Sequence, residues 1–74
     1  MPWDEPATSV CYEISVRGLL SETLLGAFPG LSARERGTET VLTGALPDQA
    51  ALFGVLGHIE ALGLELLEVR RARC

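Results

Sequence analysis

The last third of the chain, from Leu46 to Arg71, constrains the fold more than any other segment. Pro47-Asp48 is a typical helix start, in which the aspartate accepts hydrogen bonds from the first turn. Apolar residues at helical spacing follow: Leu52, Val55, Leu56, Ile59 and Leu62. Gly63 is placed to end this helix, and the Leu- and Val-rich segment 64–71 predicts a strand. A helix that leads directly into a strand predicts the second half of a split β-α-β fold.

The first half of the chain predicts a matching unit. Residues 9–18 alternate apolar and polar side chains, which predicts a first strand with one buried face. Ser21 is a good N-cap for a short helix of about two turns, which Pro29 and Gly30 would end. A strand followed by a helix therefore precedes the rest of the sheet.

Segments 31–36 and 40–46 predict a hairpin with its turn at 37–39. The first of these strands is polar enough to lie at a sheet edge. Gly44 indicates a β-bulge or the close approach of another element. The order β-α-β-β-α-β predicts an α+β, ferredoxin-like sandwich with a four-stranded antiparallel sheet in the order 4-1-3-2 and two helices on one face. Residues 1–8 predict a flexible N-terminal tail, and residues 9–74 a single domain.

The two faces of the predicted sheet differ in chemistry. The face under the helices is predicted to use Ile14, Val16, Leu24, Leu25, Phe28, Leu52, Leu56 and Ile59. The open face is a candidate interaction face that would collect Glu13, Ser15, Arg17, Arg34, Arg36 and Arg70. The register of the fourth strand stays open, because either Leu67 and Val69 or the set Leu66, Glu68 and Arg70 would point outward.

Composition narrows the function classes. The chain has 74 residues, of which 47% are hydrophobic, and oligomerisation would shelter apolar surface that so small a core leaves exposed. Its net charge of -4 argues against nucleic acid as a partner. The sequence has no apolar run of about 20 residues and no basic N-terminal region, so we expect no membrane span, no signal peptide and a cytoplasmic protein. The arginine-rich composition without lysine is typical of high-GC bacterial genes.

Other domains with this topology bind RNA or metal ions, but this sequence lacks the residues that those sites require. RNA-recognition domains stack bases on aromatic side chains of the central strands, where this chain offers only Tyr12, predicted to be on the core face. Cys11 and Cys74 lack metal-ligand spacing, so we expect neither a metal nor a cofactor. The two cysteines would come near one another at a sheet end, but a cytosolic setting favours reduced thiols.

No catalytic residue is predicted. Pro2 would be exposed by removal of the initiator methionine, but it leads a polar tail and not the strand that a tautomerase base requires. His58, the one histidine of the sequence, falls off the apolar stripe of the second helix. Arg70, Arg71 and Arg73 form a basic end that is either solvated or a contact for an acidic partner.

The element order of residues 10–71, the loop Gly18–Ser21 and the return strand Gly63–Val69 resemble the ACT-type regulatory domains of the ferredoxin-like superfold. Segment 43–52 also resembles small uncharacterised proteins of high-GC bacteria. The ACT-type resemblance implies a side-by-side homodimer that binds amino acids at the loop after the first strand. In this sequence that ligand site would consist of Gly18, Leu19, Leu20 and Ser21.

The sequence therefore predicts a non-enzymatic, homodimeric module with a regulatory or protein-interaction role. An ACT-like amino-acid sensor is the main alternative. A small enzyme of the dimeric α/β-barrel kind is a further one, for which Tyr12 and His58 would be the candidate residues.

Overall fold

The fold is described by a computed structural model for residues 10–72. Its elements are β1 (Val10–Arg17), α1 (Glu22–Leu25), β2 (Ser32–Arg36), β3 (Glu39–Leu46), α2 (Gln49–Ala61) and β4 (Leu66–Ala72). The strands form one antiparallel sheet in the order β2-β3-β1-β4. This confirms the predicted α+β, ferredoxin-like architecture and its strand order 4-1-3-2. The predicted tail, residues 1–8, lies outside the described residues.

Both ends of α2 are set by local sequence, as predicted. The Asp48 carboxylate accepts a hydrogen bond of 2.9 Å from a backbone N–H of the first turn. At the other end, the N–H of Leu64 donates to the carbonyl of Ile59 and that of Gly63 to the carbonyl of Glu60. Gly63 has a φ of 77°, the left-handed conformation that ends many helices. These bonds turn the chain directly toward β4.

The first helix is shorter than predicted. The spacing predicted about two turns, whereas α1 covers only the single turn Glu22–Leu25. Gly26 is a poor helix residue, and Pro29 disfavours the helical conformation at Phe28. Phe28 is buried as expected, but Leu24 is half-buried and stands outside the core cluster. The prediction of Leu24 as a core residue was therefore wrong.

The hydrophobic core lies between the helices and one face of the sheet. Its buried cluster consists of Tyr12, Ile14, Val16, Phe28, Leu42, Leu46, Leu52 and Ile59. Leu25 and Leu56 pack against this cluster while partly exposed. Residues of α2 and of the segment that follows α1 share this cluster with residues of β1 and β3, so within the described residues both helices lie on one side of the sheet.

Gly44 marks the close approach of another segment. A Cβ atom at this position would lie 2.5 Å from Leu31 Cδ2 and 2.8 Å from the carbonyl oxygen of Gly30. Only glycine lets the chain that enters β2 pack this closely on β3. This confirms the second of the two predictions for Gly44, and the irregularity in pairing lies elsewhere, between β1 and β4.

The β1–β4 register decides which side chains of β4 reach the open face. Arg70 lies opposite Glu13 and Glu68 lies opposite Ser15, both on the face away from the helices. The pairing shifts by one residue beyond Ser15, and Leu66 is therefore returned to the helix side. Of the three residues Leu66, Glu68 and Arg70 that one alternative predicted to point outward, only Glu68 and Arg70 do so.

Candidate functional site

The strand register brings together the residues predicted to form the interaction face. These residues lie on the sheet face away from the core: Glu13, Ser15, Arg17, Arg34, Arg36 and Arg70. Their shared location was predictable because side chains alternate along each strand. Their role as an interaction face stays a prediction.

Glu13 is the centre of the charge network on this open face. Its Oε1 accepts hydrogen bonds from Nε and Nη2 of Arg70 at 3.0 and 2.9 Å, and its Oε2 lies 3.9 Å from Nη2 of Arg34. The hydrogen bond from Arg70 lowers the pKa of Glu13, and the positive charges of Arg70, Arg34 and Arg36 add to the effect. The Glu13 side chain is only 18% exposed. The carboxylate is therefore held ionised by partners within the same chain.

The other arginines of the open face are also paired within the chain. Nε of Arg17 lies 2.8 Å from the Glu65 carboxylate. Nη2 of Arg36 donates to Glu39 and to the Ser15 hydroxyl, both at 3.2 Å. A second molecule that approached these guanidinium groups would have to compete with existing partners.

The centre of the open face is not a freely solvated sheet surface. Ser15 and Val41 lie opposite one another on this face, yet they are only 3% and 0% exposed. The hydrogen bond from Arg36 to Ser15 closes part of this area. The open face therefore offers mainly the outer parts of its charged side chains.

The predicted ligand loop, Gly18, Leu19, Leu20 and Ser21, is held by internal hydrogen bonds. The Thr40 hydroxyl donates to the Gly18 carbonyl at 2.7 Å and accepts from the Leu20 N–H at 3.2 Å. The Ser21 hydroxyl accepts from a backbone N–H of α1 and acts as its N-cap. Ligand binding by this loop stays a prediction, but most of its polar groups already have partners. Thr40 was missed, because a single buried threonine has no signature in the sequence.

The residues considered for catalysis do not form a shared site. Tyr12 is buried in the core, whereas His58 is exposed on α2 with its ring centroid 5.5 Å from that of Phe28. Within residues 10–72, no group of three or more His, Cys, Asp or Glu side chains is arranged to hold a metal ion.

Cys11 is disulfide-bonded, so the expectation of reduced thiols was wrong for this residue. Cys11 lies opposite Ala72, the last residue of β4. The antiparallel pairing of β1 with β4 thus brings the end of β4 next to Cys11. Cys74 lies outside the described residues.

A cleft of about 440 Å³ lies between α2 and the start of β4, and the sequence did not predict it. Its lining consists of Phe53, Leu56, Gly57, Ile59, Glu60, Leu64 and Leu66. Positions 53, 56, 57 and 60 recur at the spacing of one helix face. Phe53 is 61% and Leu66 43% exposed. The available signal was Phe53, a large apolar residue beside the predicted stripe.

Most of the exposed large apolar residues belong to the two elements that form this cleft. Among the described residues, the large apolar side chains with the greatest exposure are Leu19, Phe53, Leu62, Leu66 and Leu67. All of these except Leu19 belong to β4 or to α2 and its C-cap. We call the cleft with its exposed apolar residues Phe53 and Leu66 the α2–β4 side.

Charged groups on the α2–β4 side differ from those of the open face. Arg71 lies opposite Tyr12 and therefore on the helix side of β4. Of the arginines within residues 10–72, Arg71 alone makes no ion pair. Glu60, at the cleft, also makes none with a described residue. The α2–β4 side thus carries both apolar surface and charges that have no partner in the described chain.

Comparisons with known proteins identify the family of this chain. No helix in residues 10–72 combines the length and the apolar character needed to cross a membrane. No curated protein and no solved structure matches the chain. A family model described as "Domain of unknown function (DUF8691)" matches residues 11–70, which run from β1 into β4 and include both helices. Because this match covers most of the 74 residues, the chain belongs to the DUF8691 family.

Proposed function

We propose that this chain is a non-enzymatic, homodimeric module with a regulatory or protein-interaction role, and that a second copy docks on the α2–β4 side. The observation that carries the proposal is the exposure of Phe53 and Leu66, which line one cleft. Large contiguous apolar patches are uncommon on monomeric proteins, and exposed apolar side chains that line a groove often mark an interaction site. A second copy would remove this surface from water.

The open face is a weaker candidate for the dimer interface than the α2–β4 side. Arg17, Arg36 and Arg70 already have carboxylate partners within the chain. Exposed pairs of this kind contribute little on their own, and a partner that replaced them would regain little. Association through the open face would therefore lack a strong driving force.

The position of β4 in the sheet provides the second element of the proposed interface. β4 is the last strand on its side, so its outer backbone groups have no sheet partner within residues 10–72. An exposed edge strand is a template for a strand from another chain. Backbone pairing along β4 and apolar burial at the cleft would then act in one interface.

Sedimentation equilibrium of the full chain tests the homodimer. We expect twice the chain mass at micromolar concentration, and Leu66→Glu should raise the dissociation constant at least about tenfold. Ala33→Glu is the matched control, since Ala33 lies on the helix side of the opposite edge strand, opposite Leu42. A wild-type chain that stays monomeric up to about 100 μM would refute the proposal.

The cleft also favours a second candidate function, the ACT-like amino-acid sensor. Its volume of about 440 Å³ falls in the range of about 300–1,000 Å³ that is usual for small-molecule sites. A thermal-shift screen of amino acids would detect a ligand. Loss of the shift in Leu66→Glu would assign the ligand to the cleft, whereas loss in Leu19→Ser would assign it to the loop Gly18–Ser21. No shift with any amino acid would exclude this candidate.

A further inference from the structure

We infer that the second copy pairs with β4 as an antiparallel strand in one register, in which Val69 lies opposite Val69 of the partner subunit. The inference rests on the proposed homodimer and specifies its interface. A two-fold axis perpendicular to the sheet makes the two copies of a strand antiparallel and keeps the helices of both on the same side. Each allowed register then has one residue opposite its own copy.

The charges of β4 distinguish between these registers. Centred on Val69, the pairing places Glu68 opposite the partner's Arg70, and the symmetry repeats this pair. Centred on Glu68, the pairing would oppose two carboxylates, and centred on Arg70 it would oppose two guanidinium groups. Opposite charges stabilise a directly facing pair and like charges destabilise it. Only the register centred on Val69 joins both charged residues of the open face favourably.

The same register accounts for the unpaired charges on the helix side. It brings Arg71 to the partner's segment Leu66–Leu67, where the pairing irregularity returns Leu66, a residue that lines the cleft, to the helix side. Glu60 lies at this cleft. Neither Arg71 nor Glu60 has an ion-pair partner among the described residues. The interface would place Arg71 of each copy at the mouth of the cleft of the other, where its guanidinium can meet the partner's Glu60 while its methylenes cover apolar surface.

Charge exchange between two variants tests the register. Glu68→Arg alone opposes two positive charges at both symmetric positions, and Arg70→Glu alone opposes two negative charges. We expect each variant by itself to dimerise about tenfold more weakly than the wild-type chain. Mixed together, they should form a heterodimer, because each substituted side chain then faces an opposite charge. Sedimentation of the single and mixed samples, with one variant carrying a fluorescent label, measures this directly.

A second exchange avoids the bonds that Arg70 makes to Glu13 within the chain. Arg71→Glu and Glu60→Arg should each weaken the homodimer, and their mixture should restore association. Neither substitution removes an ion pair of the described chain. Circular dichroism confirms that each variant is folded. Glu35→Arg on β2 is the control and should leave dimerisation unchanged.

The outcomes separate the register from the proposed function. A monomeric wild-type chain would overturn both. A wild-type dimer that tolerates the single exchanges, or variants whose mixtures fail to associate, would overturn the register and leave the homodimer standing. Recovery of association in the mixtures of both pairs would establish the register.

Discussion

The two edge strands of this sheet occupy equivalent positions and differ in what they offer a partner. All residues of β2, Ser32–Arg36, are exposed, and Arg34, Glu35 and Arg36 place three charges in a row. β4 begins with the exposed pair Leu66 and Leu67 beside an apolar cleft. The difference shows that the availability of an edge depends on its side chains and on its surroundings, and not on its position in the sheet alone.

Self-pairing makes the contrast between the edges sharper. Centred on Arg34, two copies of β2 would oppose two arginines, and centred on Glu35 they would oppose Arg34 to Arg36 twice. β4 has a register in which Glu68 meets Arg70 twice. Both of these registers of β2 oppose like charges, and β2 has no register that joins two opposite-charge pairs as β4 does.

The largest loss of stability is expected from a substitution at Gly44, on which the chain that enters β2 packs. Gly44→Ala should lower the free energy of unfolding by about 3 kcal/mol, because the new methyl group would overlap the Gly30 carbonyl and Leu31. Urea unfolding measures the change. Gly54→Ala is the control, because a Cβ there meets no atom within 4 Å. An unfolding free energy unchanged by Gly44→Ala would show that β2 is not held by this close approach.

Amide hydrogen exchange compares the two edges directly. If the second copy pairs with β4, protection of its outward amides should rise at least about tenfold as the protein concentration passes through the dissociation constant. The amides of β2, Ser32–Arg36, serve as the internal reference and should exchange at a constant rate. A rise confined to β2 would reverse the comparison and place the interface at the other edge.

A substitution at Gly63, in the turn between α2 and β4, should cause an intermediate loss of stability. Gly63→Ala should cost about 1 kcal/mol, since Gly63 has a φ of 77° that a side chain disfavours. Gly63→Asn should cost less, because asparagine tolerates this conformation better. Chemical denaturation of the pair gives both values. Equal stability of the alanine and glycine proteins would mean that this backbone conformation is not required.

The stability that the Glu13–Arg70 ion pair contributes between β1 and β4 should depend on pH. The Arg70 hydrogen bond lowers the pKa of Glu13 in the folded chain below the ordinary value that this carboxyl has in the unfolded chain. Ionised Glu13 therefore stabilises the fold above that ordinary value, and the contribution is lost as the pH falls through the lowered pKa. The melting temperature of Glu13→Gln should be below that of the wild type at pH 7, and the gap should close in acid. Glu35→Gln is the control, because Glu35 makes no ion pair within the described residues.

The smallest expected effect is the difference in melting temperature between two variants, each of which removes the arginine that connects one edge strand to Glu13. Arg70→Ala should lower the melting temperature more than Arg34→Ala, because Arg70 makes two hydrogen bonds of 3.0 and 2.9 Å whereas Arg34 Nη2 lies 3.9 Å from Oε2. Thermal melting at low protein concentration separates this effect from dimerisation. Equal losses would indicate that the contact is governed by charge alone and not by hydrogen-bond geometry.

Much of the fold was predictable because its signals are local. The capping oxygen of Asp48 and the glycine conformation at Gly63 act within a few residues, and both were confirmed. Alternation along β1 placed Glu13 and Ser15 on one face in the same way. The length of α1 was not predicted correctly, since a single turn at a serine cap is too short for a periodic pattern to define its end.

The features closest to function depended on residues that are distant in the sequence. The role of Thr40 requires the loop Gly18–Ser21 to fold over β3, and the cleft requires α2 to lie beside Leu66. The bulge that returns Leu66 to the helix side depends on how β4 pairs with β1. None of these contacts leaves a pattern within one segment, so no local rule could indicate them.

The sequence by itself determined the order of the elements, the ends of α2 and the alternating faces of the strands, because caps, glycines and side-chain periodicity act over short distances. Only the tertiary structure decided that the charges of the open face pair within the chain and that the α2–β4 side stays apolar and exposed. That outcome depends on the register between strands and on the position of α2, which arise from packing among segments far apart in the chain.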